Sequence, residues 1–132
     1  MPRLIRHRLH VALAVALGSA AASACAARCE SIKEEARALR AEAEACGAGD
    51  ACVVVDLYAL AGANNCLGAF QCAAAFNQSV DLDAFAADAK SLAADYEGCQ
   101  CTMAGCLDPS AFDAVCNAEA GRCELVQKEP GQ

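Results

Sequence analysis

A small disulfide-rich α+β domain, with two amphipathic helices, short strands and a C-terminal β-hairpin, is the fold class predicted for this 132-residue chain. Three features predict it. Eleven cysteines make up about 8% of the residues, the density at which a short chain reads as a disulfide scaffold. Two stretches place apolar or small residues at alternating steps of three and four, the period of a helix with one buried face. A β-branched run and a pair of short apolar segments around a polar turn supply the strands. Large core-forming side chains are scarce, because alanine and cysteine inflate the hydrophobic fraction of 57% and tryptophan is absent.

The N-terminal stretch reads as a secretory leader over residues 1–26. Arg3, Arg6 and Arg8 precede the wholly apolar run Val11 to Leu17, and small residues fill Gly18 to Ala24, the layout of a cleaved export signal. The apolar run is far shorter than the roughly 20 residues that span a bilayer. Small residues at −3 and −1 allow cleavage after Ala24 or after Ala26. Cleavage after Ala26 removes Cys25 and leaves an even set of ten cysteines. Alternatively, Ala22-Ser23-Ala24-Cys25 resembles a bacterial lipoprotein processing site, at which Cys25 would carry the lipid. The segment departs from that pattern in having Ala22 where Leu is usual, so soluble export and lipid anchoring both stay open.

A single disulfide-stapled domain is expected over 27–126. Within Arg28 to Cys46, the series Cys29, Ile32, Ala36, Leu39, Ala43 and Cys46 defines the first helix, with Glu34–Arg37 and Arg40–Glu44 spaced to pair on its outer face. Gly47 and Gly49 end it. Cys52 to Tyr58 reads as a strand through Val53, Val54 and Val55. Cys66 to Phe76 is ambiguous, and its first half leans to strand. The series Leu82, Phe85, Ala89, Leu92, Tyr96 and Cys99 defines the second helix, with Ser79, Asp81 and Asp83 available to cap it and Gly98 to stop it. Cys101 to Pro109 reads as a covalently held loop. Phe112 to Val126 has the form of a hairpin turning through Asn117 to Gly121. Residues 127–132 form a polar, flexible tail.

Charge and residue content exclude several function classes. Removal of the leader leaves seven basic and seventeen acidic residues, a formal charge of −10. Such a balance argues against nucleic acid or an anionic membrane surface as a direct partner. Both histidines, His7 and His10, lie in the leader. The mature chain therefore lacks the imidazole on which Ser-His-Asp and Cys-His catalysis and His-bearing zinc sites depend. Acidic residues such as Asp56, Asp81, Asp83, Asp95 and Asp113 show no spacing that selects a catalytic pair, and surface acidity accounts for them. No enzymatic activity and no cofactor are expected.

Ten cysteines are candidates for disulfides: Cys29, Cys46, Cys52, Cys66, Cys72, Cys99, Cys101, Cys106, Cys116 and Cys123. No CxxC occurs among them, which removes the usual thioredoxin-like and zinc-ribbon signatures. Connectivity is not deducible from spacing. One local pairing suggests itself, Cys116 with Cys123 across the hairpin. The Cys99-Gln100-Cys101 pair raises the alternative of a soft-metal or redox protein, and the loop Thr102 to Ser110 raises that of an inhibitor of a secreted enzyme. The leading expectation is a non-enzymatic, extracytoplasmic binding or structural module with an unknown protein or envelope partner. It would be secreted, periplasmic or attached to the outer membrane through a lipid on Cys25.

The order of a Cys-bounded helix, CGAGDACVVV, NNCLGAFQC, a second helix ending in Tyr96-Glu97-Gly98-Cys99, and VCNAEAGRCELV resembles uncharacterised cysteine-rich secreted or lipoprotein families of bacteria. The resemblance covers most of the chain after the leader. It rests on cysteine placement and implies export without implying an activity.

Overall fold

The computed structural model describes residues 3–131, with side chains described from residue 21 onward. The cations and apolar run expected of the leader lie outside the described side chains. Helix α1 covers Arg3–Glu44, and the chain divides within it into two units, residues 1–31 and 32–132. In the first unit the described side chains are exposed except that of Cys29, which is half-buried. No helix among the described residues is long and apolar enough to cross a membrane.

The second unit is a small α+β domain. The last turns of α1 bury Ile32, Ala36 and Ala43, which fall on the predicted stripe, and Arg37–Glu34 and Arg40–Glu44 pair on the outer face. Strand β1 (Cys52–Asp56) follows, then the short helix α2 (Leu57–Ala61). The expected strand through Tyr58 is thus two residues too long. Asp56 ends it, because its carboxylate accepts from the Tyr58 and Ala59 N–H groups at 3.0 and 3.3 Å and so starts a helix.

Strand β2 is Ala73–Asn77, and it pairs antiparallel with β1, Val54 opposite Ala75. The expectation of a strand in the first half of 66–76 is corrected here. That half forms a 3-10 turn at Gly68–Phe70, and the strand lies in the second half. Ala73 to Phe76 are all buried. A strand covered on both faces loses the period-2 alternation, and alanine leaves room for neighbours to approach it closely.

Helix α3 (Leu82–Asp95) is capped by Asp81, which accepts from the Asp83 and Ala84 N–H groups at 3.1 and 3.0 Å. Phe85, Ala89 and Tyr96 of its stripe are buried. Phe85 meets Phe76 and Phe70 edge-on, with ring centroids 4.7 and 5.8 Å apart. This aromatic trio is the centre of a thin core that Leu57 and Leu67 complete. Strands β3 (Phe112–Asn117) and β4 (Arg122–Gln127) form the predicted hairpin, which packs on β1 and β2. The hairpin runs one residue into the segment expected as a tail, and the Lys128 N–H donates to Ala111 C=O at 2.9 Å.

All ten cysteines from Cys29 to Cys123 are disulfide-bonded. Cys46 joins Cys116, Cys52 joins Cys123, Cys66 joins Cys101 and Cys72 joins Cys106. The suggested Cys116–Cys123 bridge does not form. These residues are direct neighbours in the β3–β4 register, but Cys116 bonds to Cys46, just past the end of α1, and Cys123 to Cys52, at the start of β1. The bridges close separations of 70 and 71 residues rather than the hairpin's own turn. Crosslinks of that span restrict an unfolded chain more than short ones do.

Candidate functional site

Cys101 to Asp108 contains no helix, strand or turn, and every residue from Cys101 to Leu107 is exposed. Two large apolar side chains stand on it, Met103 at 50% and Leu107 at 61% exposure. Leu82, Val115 and Val126 are exposed as well, and single exposed apolar residues are ordinary; what sets Met103 and Leu107 apart is a loop fixed by covalent bonds. Cys66–Cys101 and Cys72–Cys106 bracket the segment, and their partners lie six residues apart around the Gly68–Phe70 turn.

Between the two bridges a single buried side chain sets the backbone. Gln71 is 5% exposed. Its Nε2 donates to Thr102 C=O at 3.1 Å and to Asn65 C=O at 3.2 Å, while its Oε1 accepts from the Ala104 N–H at 3.0 Å. The Gln71 amide therefore behaves as a one-residue strand partner. In extended backbone the carbonyl of one residue and the N–H two positions later point to the same side, while both groups of the intervening residue point to the other. Met103 is that intervening residue. Its own N–H and C=O have no hydrogen-bond partner among the described residues. The Tyr58 hydroxyl also donates to Ala104 C=O at 3.4 Å, and no residue of the loop has a positive φ.

The far end of the loop is also fixed. Asp108 caps the Pro109–Ala111 3-10 turn, accepting from the Ser110 N–H at 2.8 Å. Hydrogen bonding from Ser110 holds the Asp108 carboxyl below its ordinary range. The Lys128 ammonium donates to Ser110 C=O at 3.0 Å. The segment is exposed yet fixed at both ends and in the middle, an arrangement that lowers the ordering cost of binding.

Other sequence-derived candidates are accounted for by the same bonds. Cys99 and Cys101 are both disulfide-bonded, so in this state the pair presents no thiolate to a soft metal. The sulfurs of Cys46, Cys52 and Cys116 lie within 4.8 Å of one another, a clustering that follows from two adjacent disulfides. Cys25 is exposed and free. A cleft of about 540 Å³ opens between Ala61–Cys66 and the end of α3, but the Asn65 amide beside it is turned inward, donating to Gly62 and Phe70 carbonyls at 2.7 and 3.1 Å. Sequence reasoning marked the loop but not Gln71, whose role depends on contacts 31 and 33 positions away. Compared with known proteins, the chain matches no family model, no curated protein and no solved structure.

Proposed function

We propose that the chain is a non-enzymatic, extracytoplasmic binding module that presents the loop Thr102 to Leu107 to a protein partner. The observation that carries this reading is the pairing of exposed Met103 and Leu107 with a backbone held by two disulfides and Gln71. Rigid presentation of apolar anchors is what interface hot spots require. The multiple disulfides suit an oxidising compartment, in accord with the leader-like N-terminus and with the bacterial secreted and lipoprotein families that the cysteine placement resembles. On this reading Cys25, which has no disulfide partner, is removed with the leader or carries a lipid. The chain after His10 contains no imidazole, which favours recognition over acid–base catalysis.

The reading is tested by immobilising the oxidised protein and a Met103→Asp, Leu107→Asp variant and comparing what each captures from culture supernatant and envelope extract of its own source. Both positions are exposed, so the variant keeps its fold, and its disulfide pattern checks this. Capture of a defined protein by the parent chain, lost in the variant, is expected. Equal capture by both forms would contradict the reading.

A further inference from the structure

We infer that the loop's partner is a serine-type endopeptidase, and that the loop occupies its active-site cleft as a substrate-like inhibitor with Met103 in the specificity pocket. This rests on the binding-module reading and identifies the class of partner.

The cleft of such an enzyme holds its substrate in extended form, takes one side chain into a pocket, and needs access to that residue's N–H and C=O. Met103 offers all three. Its side chain is half exposed, its neighbours Thr102 and Ala104 both bond to Gln71 as an extended segment would, and neither of its own backbone groups has a hydrogen-bond partner among the described residues. Its Sδ rests 4.0 Å from Gln71 Nε2, and an unbranched thioether can swing from there and adapt to an irregular apolar pocket. A free Met103 carbonyl is the group that oxyanion-hole donors would bind.

The same bonds explain why such a loop would inhibit rather than be consumed. The enzyme's seryl oxygen adds to the Met103 carbonyl carbon, and its proton passes through the catalytic histidine to the Ala104 nitrogen. The C–N bond then breaks, leaving a Met103 acyl ester and an Ala104 amine. In an ordinary substrate the amine departs and water hydrolyses the ester. Here the acyl side stays tied through Cys66–Cys101 and the amine side through Cys72–Cys106, with the Ala104 nitrogen beside Gln71 Oε1. An amine held in place has a high effective concentration. It adds back to the ester carbon, the seryl oxygen recovers a proton, and the peptide bond is restored. Gln71 is thus a positioning residue.

The test uses the purified, oxidised protein with chymotrypsin, whose pocket is apolar, and with trypsin, whose pocket is acidic. The parent chain is expected to inhibit chymotrypsin, with nicking confined to Met103–Ala104 and stopping short of completion. Met103→Asp is expected to weaken inhibition by about 30-fold or more, the loss typical of an interface anchor. Met103→Arg is expected to transfer inhibition to trypsin. Nicked parent protein incubated with catalytic amounts of enzyme should regenerate intact chain, whereas nicked Gln71→Ala should not, a difference that a merely structural role would not produce. The inference is overturned if the parent leaves chymotrypsin active and Met103→Arg leaves trypsin active, or if the parent loop is cut to completion. In those cases loop-dependent capture of another protein would still stand as an independent result.

Discussion

At the scale of single residues, Cys72 and Gln71 do most to shape the loop, and neither is a conventional binding residue. Cys72 is the one described non-glycine residue with positive φ, at 64°, and its C=O accepts from the Leu57 N–H at 2.9 Å. The left-handed conformation turns the chain out of the Gly68–Phe70 turn into β2 while aiming the sulfur at Cys106. An L-residue there costs roughly 1 kcal/mol more than glycine. With the bridge removed in both, Cys72→Gly/Cys106→Ala should therefore be more stable to urea than Cys72→Ala/Cys106→Ala by about 1 kcal/mol. Equal stability would show that the bridge, and not the Leu57 contact, imposes the conformation. Cys72 could be marked as a disulfide candidate from the sequence, but neither its left-handed conformation nor the role of Gln71 could be found by reading along the chain. In CLGAFQC a glutamine looks like any polar residue between two cysteines, and its meaning emerges only when Thr102 and Ala104 arrive beside it.

Secondary-structure elements differ in how openly they were written in the chain, and the reasons are physical. Helix α3 and the hairpin were legible because each has a local signature: a 3–4 stripe with Asp81 at its cap, and two short apolar segments around Asn117 to Gly121. Strand β2 was not, since Ala73-Ala74-Ala75 favours helix intrinsically and becomes a strand through its distant pairing with Val53 to Val55. The hairpin's outer face also carries a local charge network. Glu124 accepts from Arg122 Nε at 3.1 Å and from Asn117 Nδ2 at 3.3 Å, and these bonds, Arg122 first, hold its carboxyl below the ordinary range. A folded-state pKa lowered in this way stabilises the fold fully above the ordinary carboxylate range and is lost as pH falls through that range to the lowered folded value. Urea midpoints measured from neutral to acid pH should accordingly fall less steeply in Glu124→Gln than in the parent. Asp108, lowered by Ser110 in the same direction, leaves a residual slope in both. Identical pH profiles would remove Glu124 from the account.

For the molecule as a whole, covalent bonds do what a larger apolar interior does elsewhere. Among the described residues the large side chains that are fully buried are Phe70, Phe76, Leu57 and Leu67, a small core for a domain of this length. Each long-range bridge contributes about 4 kcal/mol in the chain-entropy description, on the order of half of a typical domain's net stability. An oxidising environment, a thin core and a crosslinked loop are therefore parts of one physical solution. Cysteine number announced the crosslinked fold, but the partners were illegible, because neighbours such as Cys116 and Cys123 can share a register and still bond elsewhere. Which sulfurs are joined decides the position of the loop, since Cys66–Cys101 and Cys72–Cys106 hold Met103 outside the core. Peptide mapping of the purified, unreduced protein by tandem mass spectrometry is the decisive measurement. Expected is a pattern of crosslinked peptides joining Cys66 to Cys101, Cys72 to Cys106, Cys46 to Cys116 and Cys52 to Cys123. Free thiols at Cys101 and Cys106, or a Cys101–Cys106 bridge that leaves Cys66 and Cys72 to other partners, would contradict it.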